Sequence, residues 1–327
     1  MRSDLCHAFL LTPSGKDYLW GGERLKTEYG KALPLSPLAE TWECSAHPAG
    51  PSTAVSGPHR GETLAAILEA HPEYLGTRHP DGVLPVLVKL IDAAQDLSVQ
   101  VHPDDAFAAR FENGAQGKTE MWYILDAAPG STLVYGLAHD MTAQEVRSAA
   151  LSGTLGDHLN RVSVRPGDVF FLPAGTIHAI GAGLLLAEVQ QNSDLTYRLY
   201  DYARRGKDGA LRPLHLDKAL ACADLRPTAP AARAVRVVRR FAGYSLEELC
   251  RAPRFRVEKL TLDAGADAAA LLPPCPSACR VLLCTRGAAV LPCGGETLSL
   301  RAGTCAFVPA GQEAIPLYGQ AELLLID

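Results

Sequence analysis

The sequence predicts a mainly β chain with a few helices, built as two jelly-roll or small-barrel modules. Three observations carry this. Short apolar segments with strand-like alternation are broken throughout by 29 glycines and 23 prolines, the punctuation of an all-β fold with tight turns. The stretch "PGDVFFLPAGTIHAI" (166–180) returns near the end as "AGTCAFVPAGQEAI" (302–315). Between the two copies lies "RPTAPAARAV" (226–235), Pro/Ala-rich and weakly patterned, which reads as a linker. A length of 327 residues accommodates the two implied domains, 1–225 and 236–327.

The elements follow in order. Residues 61–76 place Leu64, Ile67 and Leu68 at helical spacing and break at Pro72 and Gly76. Leu87–Asp92 and Leu97–His102 read as strands. In the second, Leu97, Val99 and Val101 alternate with Ser98, Gln100 and His102, so those last three share a face. Segments 119–127 and 131–137 are further strands. "TAQEVRSAALSG" (142–153) is a helix, with Thr142 and Glu145 spaced as a capping box. Strands are expected at 162–172, 176–180, 183–190 and 195–200, and a helix over 212–225. Beyond the linker only short strands remain.

In the repeat, Gly167, Phe171, Pro173, Ala174 and Gly175 align with Gly303, Phe307, Pro309, Ala310 and Gly311, but His178 aligns with Ala314. A glycine turn launches a strand, Pro-x-Gly reverses the chain, and the next strand aims its third residue at one face. The spacing Gly-x5-Pro-x-Gly-x2-His resembles the second half of the cupin signature. Where that signature has His-x-His and a carboxylate, "VQVHPDD" supplies Gln100 and His102, and "KTEMWYIL" supplies Glu120. His102, Glu120 and His178 make a three-ligand metal site, with Gln100 as a possible fourth ligand and one position open. Two imidazoles and one carboxylate also describe the facial triad of non-haem iron oxygenases, so the ligands leave the metal and reaction open. A sugar-binding cupin without catalysis is the third reading.

Composition narrows the partners. Hydrophobic residues are 47% of the chain and the formal net charge is −5. A sizeable core is therefore expected, and neither nucleic acid nor an anionic membrane is an expected main partner. No uncharged apolar run reaches membrane-spanning length and no signal peptide is evident. The odd count of nine cysteines reads as reduced thiols, and a cytoplasmic enzyme, monomer or homodimer, is the expectation.

The words around the ligands carry a more specific likeness. "AETWECSAHPAG", "LPVLVKLIDAAQDLSVQVHPDD", "GKTEMWYIL", "PAGTIHAIGAGLLLAEVQQNSDLTYRLYDY" and "RPLHLDKAL" resemble type I mannose-6-phosphate isomerases in their compact bacterial form, over roughly residues 5–225. The part after the linker resembles the family's metal-free second cupin. The resemblance implies a zinc-dependent aldose–ketose isomerase that interconverts mannose 6-phosphate and fructose 6-phosphate through an enediol. It implies Zn²⁺ on His102, Glu120, His178 and Gln100, a catalytic Arg198, an active-site Lys118 and a Ser98 near the sugar phosphate. Lys118 is the candidate proton shuttle, and Glu188 a rival that also serves as a substrate-binding candidate; Asp194 is weaker. For the phosphate, Arg204 and Arg205 form one candidate loop, followed by Lys89, Lys207 and Lys218. His47 and His59 sit in a turn-rich segment that reads as structural.

Overall fold

The computed structural model describes residues 8–206, 208–228, 237–264 and 269–327. Among them, every pairing between named strands is antiparallel. Three sheets result, and the architecture is mainly β with few helices.

The middle layer is a six-stranded sheet in the order Val169–Leu172, Glu120–Ala127, Leu184–Gln191, Val86–Ala93, Glu40–Cys44 and Ser14–Lys16. Its central strands are buried on both faces, so "VLVKLIDA" and "LLLAEVQQ" are buried at every position. The period of two sorts their residues. Val88, Leu90, Met121, Tyr123, Leu185, Ala187 and Val189 face one way, into a core shared with Val257, Val281, Leu283, Phe307, Leu324 and Ile326. Ile91, Trp122, Ile124, Leu184 and Leu186 face the other way, against Leu133, Val164, Phe170 and Ile180.

On that second side lies a five-stranded sheet in the order Tyr197–Tyr200, Val99–Val101, His178–Ala179, Thr132–Leu137 and Leu159–Ser163. Val99, Val101, Val134, Ile177 and Leu199 point outward beneath the helices Ala143–Ser152 and Leu216–Cys222, meeting Val146, Ala149, Ala150 and Ala219. Ser98, Gln100 and His102 are left to face the six-stranded sheet, as the alternation predicts.

The third layer is a ten-stranded sheet holding every strand after residue 237. It also takes two strands from the other end of the chain. Phe9–Thr12 pairs with Cys305–Val308, Phe9 opposite Phe307, and Thr53–Ala54 pairs with Phe9–Thr12. The boundary read from composition contains no such crossing. Lys31 strengthens the junction: its buried ammonium lies 2.6 Å from Glu43 and also donates to the Gly303 carbonyl.

Several expected elements have different limits. The stretch 162–172 is not one strand but the end of Leu159–Ser163 and then Val169–Leu172. Pro166 has no N–H for a ladder, and Gly167 turns the chain at φ +86°. The helix over 212–225 contracts to Leu216–Cys222, beyond Pro213. A helix at Asp105–Phe111 is absent from the sequence reading; Asp104 caps it by accepting from Phe107 N–H at 2.8 Å. The Thr142–Glu145 capping box is present as expected. Most of the expected linker, 229–235, lies outside the described residues. Its first part is packed, with Thr228 N–H donating to Leu137 at 3.2 Å.

Candidate metal centre

The strand registers bring the candidate residues together. On the five-stranded sheet, Gln100 stands opposite His178 on one side and Arg198 on the other, so three residues 78 and 98 positions apart form one row. On the six-stranded sheet, Glu120 pairs with Leu172 and Gln190. The two sheets face each other, and Glu120 meets His178 at 3.2 Å and His102 at 3.4 Å. One donor atom from each of His102, Glu120 and His178 lies within 4.8 Å of the others, and all three residues are buried.

The protonation of both imidazoles follows from their partners. His102 Nδ1 lies 2.8 Å from the Leu195 carbonyl, and His178 Nδ1 lies 2.9 Å from the Thr176 carbonyl. A carbonyl only accepts, so each Nδ1 carries the proton and each Nε2 turns a lone pair inward. This is how a protein fixes a ligating histidine from behind. Burial, reinforced by the Lys118 charge, holds His102 neutral, its pKa pushed down to about 3; burial also lowers that of His178. Burial acts to raise the Glu120 carboxyl, but the Lys118 charge opposes it and holds the group ionised, well below the carboxylate range.

Two inward lone pairs and a buried carboxylate fit a divalent cation. Both Glu120 oxygens are buried without a hydrogen bond of ordinary geometry. They are held by charge alone, with the Lys118 ammonium 3.0 Å from Oε2 and 3.0 Å from His102 Nε2. The Gln100 amide lies 3.4 Å from His178 Nε2. Turning that amide over presents its oxygen in the same place.

A cavity of about 240 Å³ opens beside this cluster. Ser98, Gln100, Lys118, Glu188 and Arg198 all line it. Arg198 Nη1 donates to the Pro213 carbonyl at 2.8 Å, while its Nε is buried without a partner. Glu188 accepts from Trp122 Nε1 at 2.9 Å and lies 2.9 Å from Lys89, a buried lysine that also lines the cavity. Asp194 is on the lining, with His47 at 3.6 Å. His59 packs on Phe9 and Tyr74 instead. Of the expected phosphate loop, Arg204 turns inward to Asp201 and Arg205 donates to the Gly209 carbonyl at 2.7 Å. Lys218 pairs with Glu112, and Lys207 lies outside the described residues.

Arg212 is the cation the sequence reading missed. It lines the cavity and lies 3.2 Å from both oxygens of Asp201. Glu40, Trp42 and Tyr18 line it too. Arg212, Glu40 and Trp42 fall within words that carry the family likeness, but no spacing marks them as chemistry.

The comparisons agree with this architecture. The model of the type I phosphomannose isomerase catalytic domain matches residues 8–133. A probable mannose-6-phosphate isomerase of Bacillus subtilis, GmuF, is 46% identical over 217 residues, 66% of this chain and 68% of that protein. The mannose-6-phosphate isomerase ManA of the same organism is 44% identical over 209 residues, 64% of this chain and 65% of that one. The crystal structure of a B. subtilis mannose 6-phosphate isomerase superposes with a TM-score of 0.87 at 32% identity, covering 98% of this chain and 99% of that one. The chain belongs to the type I phosphomannose isomerase family. It is therefore an enzyme of the isomerase class, and membership separates the readings that the ligand set alone left open.

Proposed function

We propose that the chain interconverts mannose 6-phosphate and fructose 6-phosphate, with Zn²⁺ held by His102, Glu120, His178 and Gln100. The supporting observation is a buried set of inward-facing donors opening on a cavity whose far wall is cationic, in a chain of this family. In this reading residues 1–225 form a catalytic cupin-like domain and 236–327 a metal-free one, joined through 226–235.

Bound there, zinc supplies positive charge that polarises the sugar's oxygens and favours the enediol. The chain's own residues do the rest. Lys118, with its Nζ 3.0 Å from both Glu120 and His102, is the proton carrier: as the neutral amine it takes the proton from one carbon and, as the ammonium so formed, returns it to the neighbour. Glu188, one oxygen fixed by Trp122 and the other beside Lys89, accepts from a sugar hydroxyl. The unpartnered Arg198 Nε–H is a donor for developing oxyanion charge. Burial, and then the charge of Arg212, press the Arg198 pKa downward. Arg204 and Arg212 share the single carboxylate of Asp201, two positive charges to one negative. A phosphate monoester carries about −1.5 to −2 at neutral pH, and in this reading Arg212, with Ser98, takes the phosphate end.

The test is a coupled isomerase assay on the full chain. Activity should disappear when a chelator strips the metal and return with Zn²⁺. Protein verified as metal-free that still isomerises at the untreated rate sinks the reading. Arg212→Ala should raise KM for the phosphorylated sugar roughly tenfold, about the loss of one charged hydrogen bond, with metal content unchanged.

A further inference from the structure

Two histidines outside the cavity meet at the end of the five-stranded sheet. His139 follows the strand Thr132–Leu137, and His158 closes the 3₁₀ turn Leu155–His158 that leads into Leu159–Ser163. Those strands pair with Leu137 opposite Leu159, and Ala138 N–H donates to the His158 carbonyl at 2.9 Å. Both imidazoles therefore spring from one hydrogen-bonded ladder end, and their approach is set by the backbone. His158 Nδ1 lies 3.3 Å from His139 Nε2, with the rings inclined at 68°.

That separation has a chemical meaning. A cation with metal–nitrogen bonds of about 2.0–2.1 Å sets two neighbouring nitrogens about 3.3 Å apart in tetrahedral geometry and about 2.9 Å apart in tetragonal geometry. The separation of 3.3 Å matches the first and is a small side-chain adjustment from the second. A hydrogen bond between two neutral imidazoles uses one lone pair and competes with water; a shared cation uses both. His139 is exposed and His158 half-buried, so waters have access to the remaining positions. Glu145 adds negative charge on the same side: its carboxylate is held by Thr142 at 2.7 Å and acts on both imidazoles.

We propose that His139 and His158 form a second, solvent-open site for one divalent transition cation, Zn²⁺, Ni²⁺ or Cu²⁺. Imidazole nitrogens select these over Mg²⁺ and Ca²⁺, which take oxygen. The site is independent of the buried centre and of the function proposed for it, since it shares no residue with the cavity.

Equilibrium dialysis of the full chain against Ni²⁺, with metal counted per chain, tests this. The parent chain should take up one equivalent more than His139→Ala and one more than His158→Gln. Both variants should keep the buried equivalent and full isomerase turnover. Cu²⁺ on the parent chain should show a two-nitrogen spectroscopic signature that each variant loses. Equal uptake by parent and variants overturns the proposal. So does loss of the equivalent in one variant alone, because the site needs both rings.

Discussion

The chain makes the same strand–turn–strand twice and fills the two copies with opposite chemistry. Gly167 and Gly303 turn at φ +86° and +88°, and Gly175 and Gly311 at +88° and +80°. The strands they launch, Val169–Leu172 and Cys305–Val308, correspond in position. Beyond the second turn the copies part. His178 is 1% exposed and reaches Glu120, whereas Ala314 is exposed and precedes the strand Ile315–Ile326. The space between the first pair of sheets holds His102, Lys118, Glu120, His178 and Glu188, all buried. The corresponding core of the C-terminal sheet is lined by Leu246, Leu260, Leu282, Leu300, Leu323 and other apolar residues. The turn residues satisfy a backbone requirement that both copies share. Buried charge needs partners on every side, so it persists only where a site gives it some.

That contrast can be broken from either side. The largest effect is expected from His178→Ala, which removes an inward lone pair and leaves Glu120 short of a partner. Stoichiometric metal should be lost, and turnover should fall roughly 10³-fold or more, the upper end for losing one preorganised electrostatic group; metal analysis with the coupled assay reads both. Phe307→Ala attacks the other copy. It empties a fully buried ring position between Phe9 and the shared core and should lower unfolding stability by about 3–5 kcal/mol. Metal per folded chain should stay constant in that variant, and denaturant titration beside metal analysis separates the two quantities.

Arg198→Ala sharpens the division within the first region. Its guanidinium lines the cavity but is not among the donors around Glu120, so kcat should drop about 10²–10³-fold while metal content holds. Arg198→Lys should recover little, since an ammonium cannot reproduce the planar fork. Loss of metal in Arg198→Ala would contradict the assignment. The smallest effect is expected from Ala314→His. It restores the letter of the repeat at an exposed position, so stability should change by no more than about 0.5 kcal/mol and metal uptake by nothing.

Much of this was legible in the sequence, for reasons that differ by residue. Gln100 and His102 share a face because strand periodicity is two, and the structure keeps them there. The Pro-x-Gly frame fixes where His178 points. The Thr142–Glu145 cap is a local signal and appears unchanged. Arg212 was not legible, because it reaches the cavity from a segment without motif and is held by Asp201. Arg204 was misleading: a run of arginines in a loop reads as available charge, yet its guanidinium is turned onto that same carboxylate. The pairing of Phe9 with Phe307 had no local signal, since nothing in "FLLT" names a partner almost three hundred residues away.

That pairing bears on how the molecule is made. The strand Phe9–Thr12 meets its partner Cys305–Val308 across a separation of almost three hundred residues, Phe9 opposite Phe307. Before that partner is in place, the strand has only its short pairing with Thr53–Ala54 to join. A contact of such sequence separation slows folding by its loop-closure entropy. It also means that dividing the chain within 226–235 would leave both products incomplete: one with Phe9–Thr12 held by Thr53–Ala54 alone, the other with the Cys305–Val308 edge uncovered.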